Sequence, residues 1–325
     1  MSPPATLTHD AMFYAGDDEF LTTLVPFVRD GLAQGQAVVA AVTRPNIALL
    51  RDALGADAAT VSFLDRDAWY SRPASTVAGW HRLLTEAGTQ GHELMRVIGE
   101  VGFGPGPRHP TWTRYEAALN HVFAQAPVWI VCPYDTRALP ARVLEDVRRT
   151  HPATMHPERR RNERYVSAEQ FLREVPEPMP PVTGPPVITM TIEDGVAPAR
   201  RALHSLMADS GWSPFDRGED LILALSEITA NSIRHGRERR ELRVWVRGST
   251  VTCEVSDNGD GPADPLAGYR PPATSLTGGR GLWIAQQLCD AMAIAHSDGT
   301  TRVRFAVTLT EMFQVASGTS ARITG

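Results

Sequence analysis

Six of the eleven residues in PEPMPPVTGPP, positions 176 to 186, are proline. A proline ring fixes φ and removes a backbone donor, so this stretch is neither a helix interior nor a central strand. It predicts an extended spacer of about 34 Å, at roughly 3.1 Å per residue. A chain of 325 residues with such a break builds its core twice, once on each side, in keeping with the usual size of domains. The expected organisation is a first domain over 7–173, a proline-rich linker over 174–186, a second domain over 187–312 and a flexible tail over 313–325.

The two halves carry different patterns. Before the prolines, an amphipathic segment, DEFLTTLVPFVRDGLAQG, ends on Gly35. Short apolar runs follow: AVVAAVT (37–43), TVSFL (60–64), ELMRVIGE (93–100) and PVWIVCPYD (127–135), with helical stretches between them. Continuous apolar strands separated by helices predict an α/β fold with a mostly parallel sheet covered on both faces. After the prolines, a strand over 187–192 leads to helices over 197–209 and 216–235. Strands over 240–248, 250–257 and 300–308 follow, with a helix over 281–292 before the last. That order predicts an α+β two-layer sandwich.

Within the second half, ALSEITANSIRHG places Glu227, Asn231 and His235 at four-residue intervals. On a helix these positions drift by only about 80° in total, so they share one stripe. Leu221, Leu225 and Ile228 supply a separate core face. A lone Glu/Asn pair of this kind is an ordinary solvated face, and it gains meaning only from its neighbours. The next motif, SDNGDGP, puts Asp257 at a strand end beside Gly259 and Gly261. Asn-Gly is a strong hairpin signal, but glycines stand where an EF-hand needs oxygen ligands. Asp264 stands where the dinucleotide fingerprint needs its third glycine. A carboxylate there is able to accept a hydrogen bond from an exocyclic amine, and the missing side chains let a flat base approach. The third motif, TGGRGLWIAQQL, opens a helix with Gly278, Gly279, Arg280 and Gly281, which makes an anion site at a helix N-terminus. Last, DGTT brings Thr300 to the start of a strand.

Composition narrows the field. All 32 basic residues are arginine, so the lysine-dependent P-loop, eukaryotic-type kinase and Ser-x-x-Lys chemistries are excluded. A formal net charge of −5 argues against a nucleic-acid partner. No apolar run or charged leader predicts a membrane span or signal peptide. The expected location is cytoplasmic. Three cysteines, Cys132, Cys253 and Cys289, are too few and too scattered for a disulfide framework or a zinc cluster.

Taken in order, the four motifs resemble the GHKL ATPase superfamily with its Bergerat nucleotide-binding fold, over roughly 187–312. That resemblance implies ATP and Mg²⁺. Asn231 ligates the metal, Asp257 takes the adenine amino group, and Gly259 and Gly261 flank the base. Gly279, Arg280, Gly281 and Leu282 lie at the phosphates, Thr300 assists at the adenine and His235 completes the helix motif. The wording LILALSEITANSIRHG is most similar to anti-sigma-factor serine kinases, which implies Glu227 as general base toward a serine of an anti-anti-sigma (STAS-type) partner, and a sigma factor as the controlled target. Ser232 departs from the commoner alanine, and the 262–278 segment is unlike the family's usual wording. Two other readings stand: a module that sequesters a sigma factor without phosphorylating anything, and a sensor histidine kinase. The latter needs a histidine on a long helical hairpin, whereas His151 and His156 each precede proline. A homodimer is left open.

The segments HDAMFYAGDDEFLTTLVPFVRDGLAQGQAVVAAVT, RYEAALNHVFA and VWIVCPYDTRALP resemble the MEDS sensory domain, which implies a RecA-like architecture, here without a P-loop, and a small ligand of unknown identity. Ligands of open α/β sheets sit beyond the C-terminal strand ends. That points to Thr43, Glu100, Cys132 and Asp135, with His9, Tyr115 and Glu116 beside them. Cys132, followed by Pro133, reads as a buried structural cysteine in preference to a haem ligand.

Overall fold

In the computed structural model of the chain, the described residues are 6–103, 109–193, 195–212, 217–237, 239–269 and 280–309. They form two compact units. The first comprises 1–178 together with 262–283, and the second 179–261 together with 284–325.

The first unit runs β1 (Thr8–Tyr14), α1 (Asp17–Ala33), β2 (Ala37–Val42), α2 (Arg44–Leu54), β3 (Ser62–Asp65), α3 (Arg66–Trp69), α4 (Pro73–Thr89), β4 (Met95–Gly99), α5 (His109–Val122), β5 (Val128–Asp135), α6 (Ala141–Thr150), β6 (Ala153–His156), β7 (Glu158–Arg161) and α7 (Ala168–Glu174). The seven strands stand in the order β3-β2-β4-β5-β1-β6-β7. All neighbouring pairs are parallel except β6 with β7. Apolar clusters lie on both faces, one holding Ala11, Val97, Ile130 and Tyr134, the other Met12, Tyr14, Ile98 and Val131. The α/β expectation holds. β1 was not anticipated, because THDAMFY carries two strongly polar residues near its start, His9 and Asp10. Both are buried in this central strand, and Asp10 is matched there by Trp129 Nε1 at 2.9 Å and Arg159 Nε at 2.9 Å.

The second unit contains β8 (Ile188–Thr191), α8 (Ala197–Asp209), α9 (Arg217–His235), β9 (Glu241–Arg247) and β10 (Thr250–Asp257). After α10 (Arg280–Leu288), whose first residues group with the first unit, come β11 (Ala291–Ser297) and β12 (Thr300–Thr308). The sheet order is β11-β12-β10-β9-β8 with every pair antiparallel. α9 packs on β10 and β12, and α8 on α9, which is the two-layer sandwich expected. Leu221, Leu225 and Ile228 are buried with Val244, Val251, Cys253 and Phe305. The expected helix over 281–292 ends early. It stops at Leu288, and Ala291–Ser297 is an edge strand paired with β12.

Over 176–183 the chain is neither helix nor strand, as its prolines require. It is not a free spacer, however. Glu177 accepts from Arg114 Nε at 3.0 Å in the first unit. In the second, Arg304 donates to the Pro180 carbonyl at 3.1 Å and Trp245 to that of Gly184 at 3.2 Å. Among the described residues no helix is long and apolar enough to cross a membrane.

Candidate active site

α9 has acidic Glu219 and Asp220 in its first turn and Arg234 and His235 in its last, each at the dipole end that favours it. Its apolar residues are buried, while Glu227 and Asn231 are half-buried and His235 is exposed. Ser226 donates back to the Ile222 carbonyl at 2.7 Å. The side chains of Glu227 and Asn231 make no hydrogen bond or ion pair with another described residue. A carboxylate and an amide thus stand side by side at the edge of the core, their polar atoms uncommitted among the described residues.

The last turn of α9 meets the end of β10. Asp257 accepts from the Ser232 hydroxyl at 2.8 Å and, through its other oxygen, from the Gly259 N–H at 2.9 Å. Glycine is required on both sides of this junction. A Cβ at Gly236 would run into the Ser232 carbonyl and lie 2.8 Å from Asp257 Cβ, and one at Gly259 would lie 2.8 Å from the His235 carbonyl. Gly261 has φ +73°, the left-handed region that suits glycine. The carboxylate is only half-buried, and an ionised carboxylate offers about four acceptor positions, of which two are taken.

Thr301, rather than Thr300, completes the junction. Thr301 lies directly across from Asp257 in the β10–β12 ladder, and its buried hydroxyl donates to the Gly259 carbonyl at 3.0 Å with His296 Nδ1 3.0 Å away. Thr300 is paired with Ser297 instead. Adjacent residues of a strand point to opposite faces, so the shift of one position moves the hydroxyl from one side of the sheet to the other. Arg280 is exposed at the start of α10, Gly281 is buried and Leu282 half-buried; Gly278 and Gly279 lie outside the described residues.

In the first unit, Thr43, Glu100 and Asp135 fall at the C-terminal ends of β2, β4 and β5. Glu100 accepts from the Thr43 N–H and Asn46 Nδ2, both at 2.9 Å, and from Arg66 at 3.1 Å. The Thr43 hydroxyl caps α2, and Asp135 is chelated by Arg137. Tyr14 lies among them, its hydroxyl pushed up to about 12 by burial and by the charge of Glu100. Beside this group, a cavity of 520 Å³ is lined by residues that include Arg66, Tyr70, Phe103, His109 and Leu139. Cys132 does not belong to it. Cys132 and Asp135 stand three positions apart on one strand, so they face opposite sides of the sheet. Cys132 is buried instead beside His9, Glu116 and His151, and burial, then the Glu116 carboxylate, push its thiol well up. Tyr115, also placed near the crevice from sequence, is buried and accepts from Trp80 Nε1 at 2.8 Å.

Residues 8–152 match the family model of MEDS, the methanogen/methylotroph, DcmR sensory domain. Residues 190–307 match that of the histidine kinase-like ATPase domain. No curated protein matches. Among solved structures, the RsbU and RsbW domains of a Mycobacterium tuberculosis protein align at 20% identity and TM-score 0.30, covering 39% of this chain and 32% of that one. The histidine kinase domain of the E. coli osmosensor EnvZ aligns at 16% identity and TM-score 0.24, covering 45% of this chain and 100% of that one.

Proposed function

We propose that this chain, an N-terminal MEDS domain joined to a C-terminal histidine kinase-like ATPase domain, is an ATP-dependent protein serine kinase of the anti-sigma-factor type. On this reading it phosphorylates an anti-anti-sigma partner and so controls a sigma factor, in response to a ligand at the MEDS domain. The observation that carries the reading is the junction of α9, β10 and β12. There a half-buried carboxylate with unused acceptor capacity, a glycine turn and an uncommitted Glu/Asn pair one and two helical turns away share one end of the sandwich. Asp257 receives the exocyclic amine of the base, and the bare Gly259–Gly261 turn leaves room for its ring. Asn231 would hold Mg²⁺ through its amide oxygen, and the ion would supply neutralisation of the phosphate charge. Arg280 and the N–H groups opening α10 gather the phosphate oxygens. Glu227 accepts the proton from the serine hydroxyl, and positioning and charge neutralisation do the rest.

The sensor histidine kinase reading loses ground. Between 136 and 187 the helices among the described residues are Ala141–Thr150 and Ala168–Glu174, too short for a dimerising hairpin, and His151 is fully buried. The discriminating assay is transfer of γ-phosphate from ATP to candidate anti-anti-sigma proteins. Glu227→Gln keeps shape and ATP binding and is expected to cut transfer by about 10²–10⁴-fold, the usual weight of a general base. A wild-type chain that grips a sigma factor and transfers no phosphate to any partner would establish sequestration instead.

A further inference from the structure

We infer that the N-terminal domain holds a divalent transition-metal ion, of which zinc is the best match, on His9, Glu116, Cys132 and His151. The four residues come from β1, α5, β5 and the turn before β6, and one ligand atom from each lies within 4.8 Å of all the others. His9 Nε2 is 3.1 Å from Glu116 Oε2, His151 Nε2 is 3.5 Å from the same oxygen, and Cys132 Sγ is 3.4 Å from His9 Nε2 and 3.8 Å from Glu116 Oε2. A tetrahedral ion bonded at ordinary zinc–nitrogen, –oxygen and –sulfur lengths needs ligand atoms about 3.3–3.6 Å apart. These four contacts lie within a few tenths of an ångström of that range, and the whole set stays within 4.8 Å.

The hydrogen bonds behind the two histidine ligands supply an independent argument. Asn120 Nδ2 donates to the Thr150 carbonyl at 2.6 Å, which orients the amide so that its oxygen faces His9 Nδ1 at 3.1 Å. His151 Nδ1 lies 2.9 Å from the Val147 carbonyl. Both acceptors require a proton on Nδ1, so in its neutral form each imidazole turns a bare Nε2 lone pair toward the centre. What they face there is a carboxylate oxygen, another acceptor. Glu116 has no exposed side-chain surface, and its Oε1 has no hydrogen-bond partner. Apart from the Cys132 thiol, which lies 3.8 Å from Glu116 Oε2 as a donor, the ligand atoms facing this sealed space are acceptors, and a cation satisfies them together. One thiolate and one carboxylate balance the charge of a divalent ion, and two imidazoles with a thiolate select zinc-like metals over magnesium or calcium. The Tyr134 hydroxyl, 3.3 Å from His151 Nε2, stands beside the ligands. Spacing in the sequence does not reveal the set, because its single cysteine has no partner nearby in the chain. Since all four residues are buried, the ion enters as the domain folds.

The test uses the full chain. Metal content of the purified protein, followed by unfolding in guanidinium with chelator and refolding with Zn²⁺ or Co²⁺, is expected to give about one equivalent per chain. The cobalt form is expected to show intense tetrahedral d–d bands and a thiolate charge-transfer band. Cys132→Ser removes the charge-transfer band, whereas Cys253→Ser, in the other unit, leaves it. X-ray absorption at the metal edge of the wild type, which depends on no variant, is expected to read one sulfur and three nitrogen or oxygen neighbours. A refolded wild type that takes up under a tenth of an equivalent, or binds the ion without sulfur, overturns the site and leaves a proton-shared cluster in its place.

Discussion

Asp257 is kept in place by two donors it does not choose by charge: the Ser232 hydroxyl from the last turn of α9 and the Gly259 N–H from its own turn. Ser232 was visible in the sequence only as a small residue standing for alanine, yet its hydroxyl sets the direction of the carboxylate. Thr301 performs the matching service for Gly259 from the neighbouring strand. Replacing Thr301 with valine keeps the volume and leaves a buried carbonyl without its donor, an expected loss of about 1–3 kcal/mol. Thr300→Val, paired only at the strand's start, is expected to stay within about 0.5 kcal/mol. Denaturant midpoints of the two variants test the weight of this hydrogen bond, and equal midpoints would mean that the Thr301 hydroxyl contributes nothing to holding the turn. The sequence offered two adjacent threonines and no means of fixing the register, which is set by pairing across β10. The placing of Cys132 with Asp135 failed for a related reason, although there strand parity alone was enough to separate them.

Among the elements, α9 was legible almost to its ends, because its stripe and its core face carry different chemistry. α10 was not, since the apolar pattern of GLWIAQQLCDAM continues from the helix into β11 without a break in hydrophobicity. What stops the helix is the anchoring of its end: Arg217 at the start of α9 donates to the Leu288 carbonyl at 2.8 Å and pairs with Asp290. α5 plays a similar organising part in the first unit. Its Arg114 donates to the Leu172 carbonyl at 2.7 Å and to that of Val175, and pairs with Glu177 at 3.0 Å. Around it Ala117, Ala118, Phe171 and Leu172 close a cluster with Leu266 and Tyr269. Arg114→Ala would strand a half-buried carboxylate and two carbonyls, so the first unit is expected to lose about 2–4 kcal/mol, read by thermal or denaturant unfolding. A loss below 1 kcal/mol would mean that water substitutes for the guanidinium there.

At the scale of the whole molecule, the division read from the prolines differs from the compact units in one informative place. The span matched to the ATPase family, 190–307, contains residues 262–283, and these cluster with the first unit. They follow the Asp257 turn and run up to the start of α10, the segment noted in the sequence as unlike the family's wording. Tyr269, buried and within reach of Glu177 at 3.4 Å, explains part of that wording, because it and Leu266 pack with residues of α5 and α7. The two-domain order was legible because proline acts locally; this return of the chain was not, because it depends on contacts between distant segments. The claim on which the account turns is that Asp257 holds the base of ATP, and calorimetric titration of the full chain with Mg-ATP tests it most directly. Asp257→Asn is the informative variant. Its amide still accepts from Gly259 and still meets Ser232, but it turns a donor toward the exocyclic amine. The wild type is expected to bind ATP in preference to GTP, and the variant to bind ATP about ten- to a hundredfold more weakly, the worth of one hydrogen bond to a charged group. Equal affinity of the two proteins for ATP, or a folded wild type that binds none, would contradict the account.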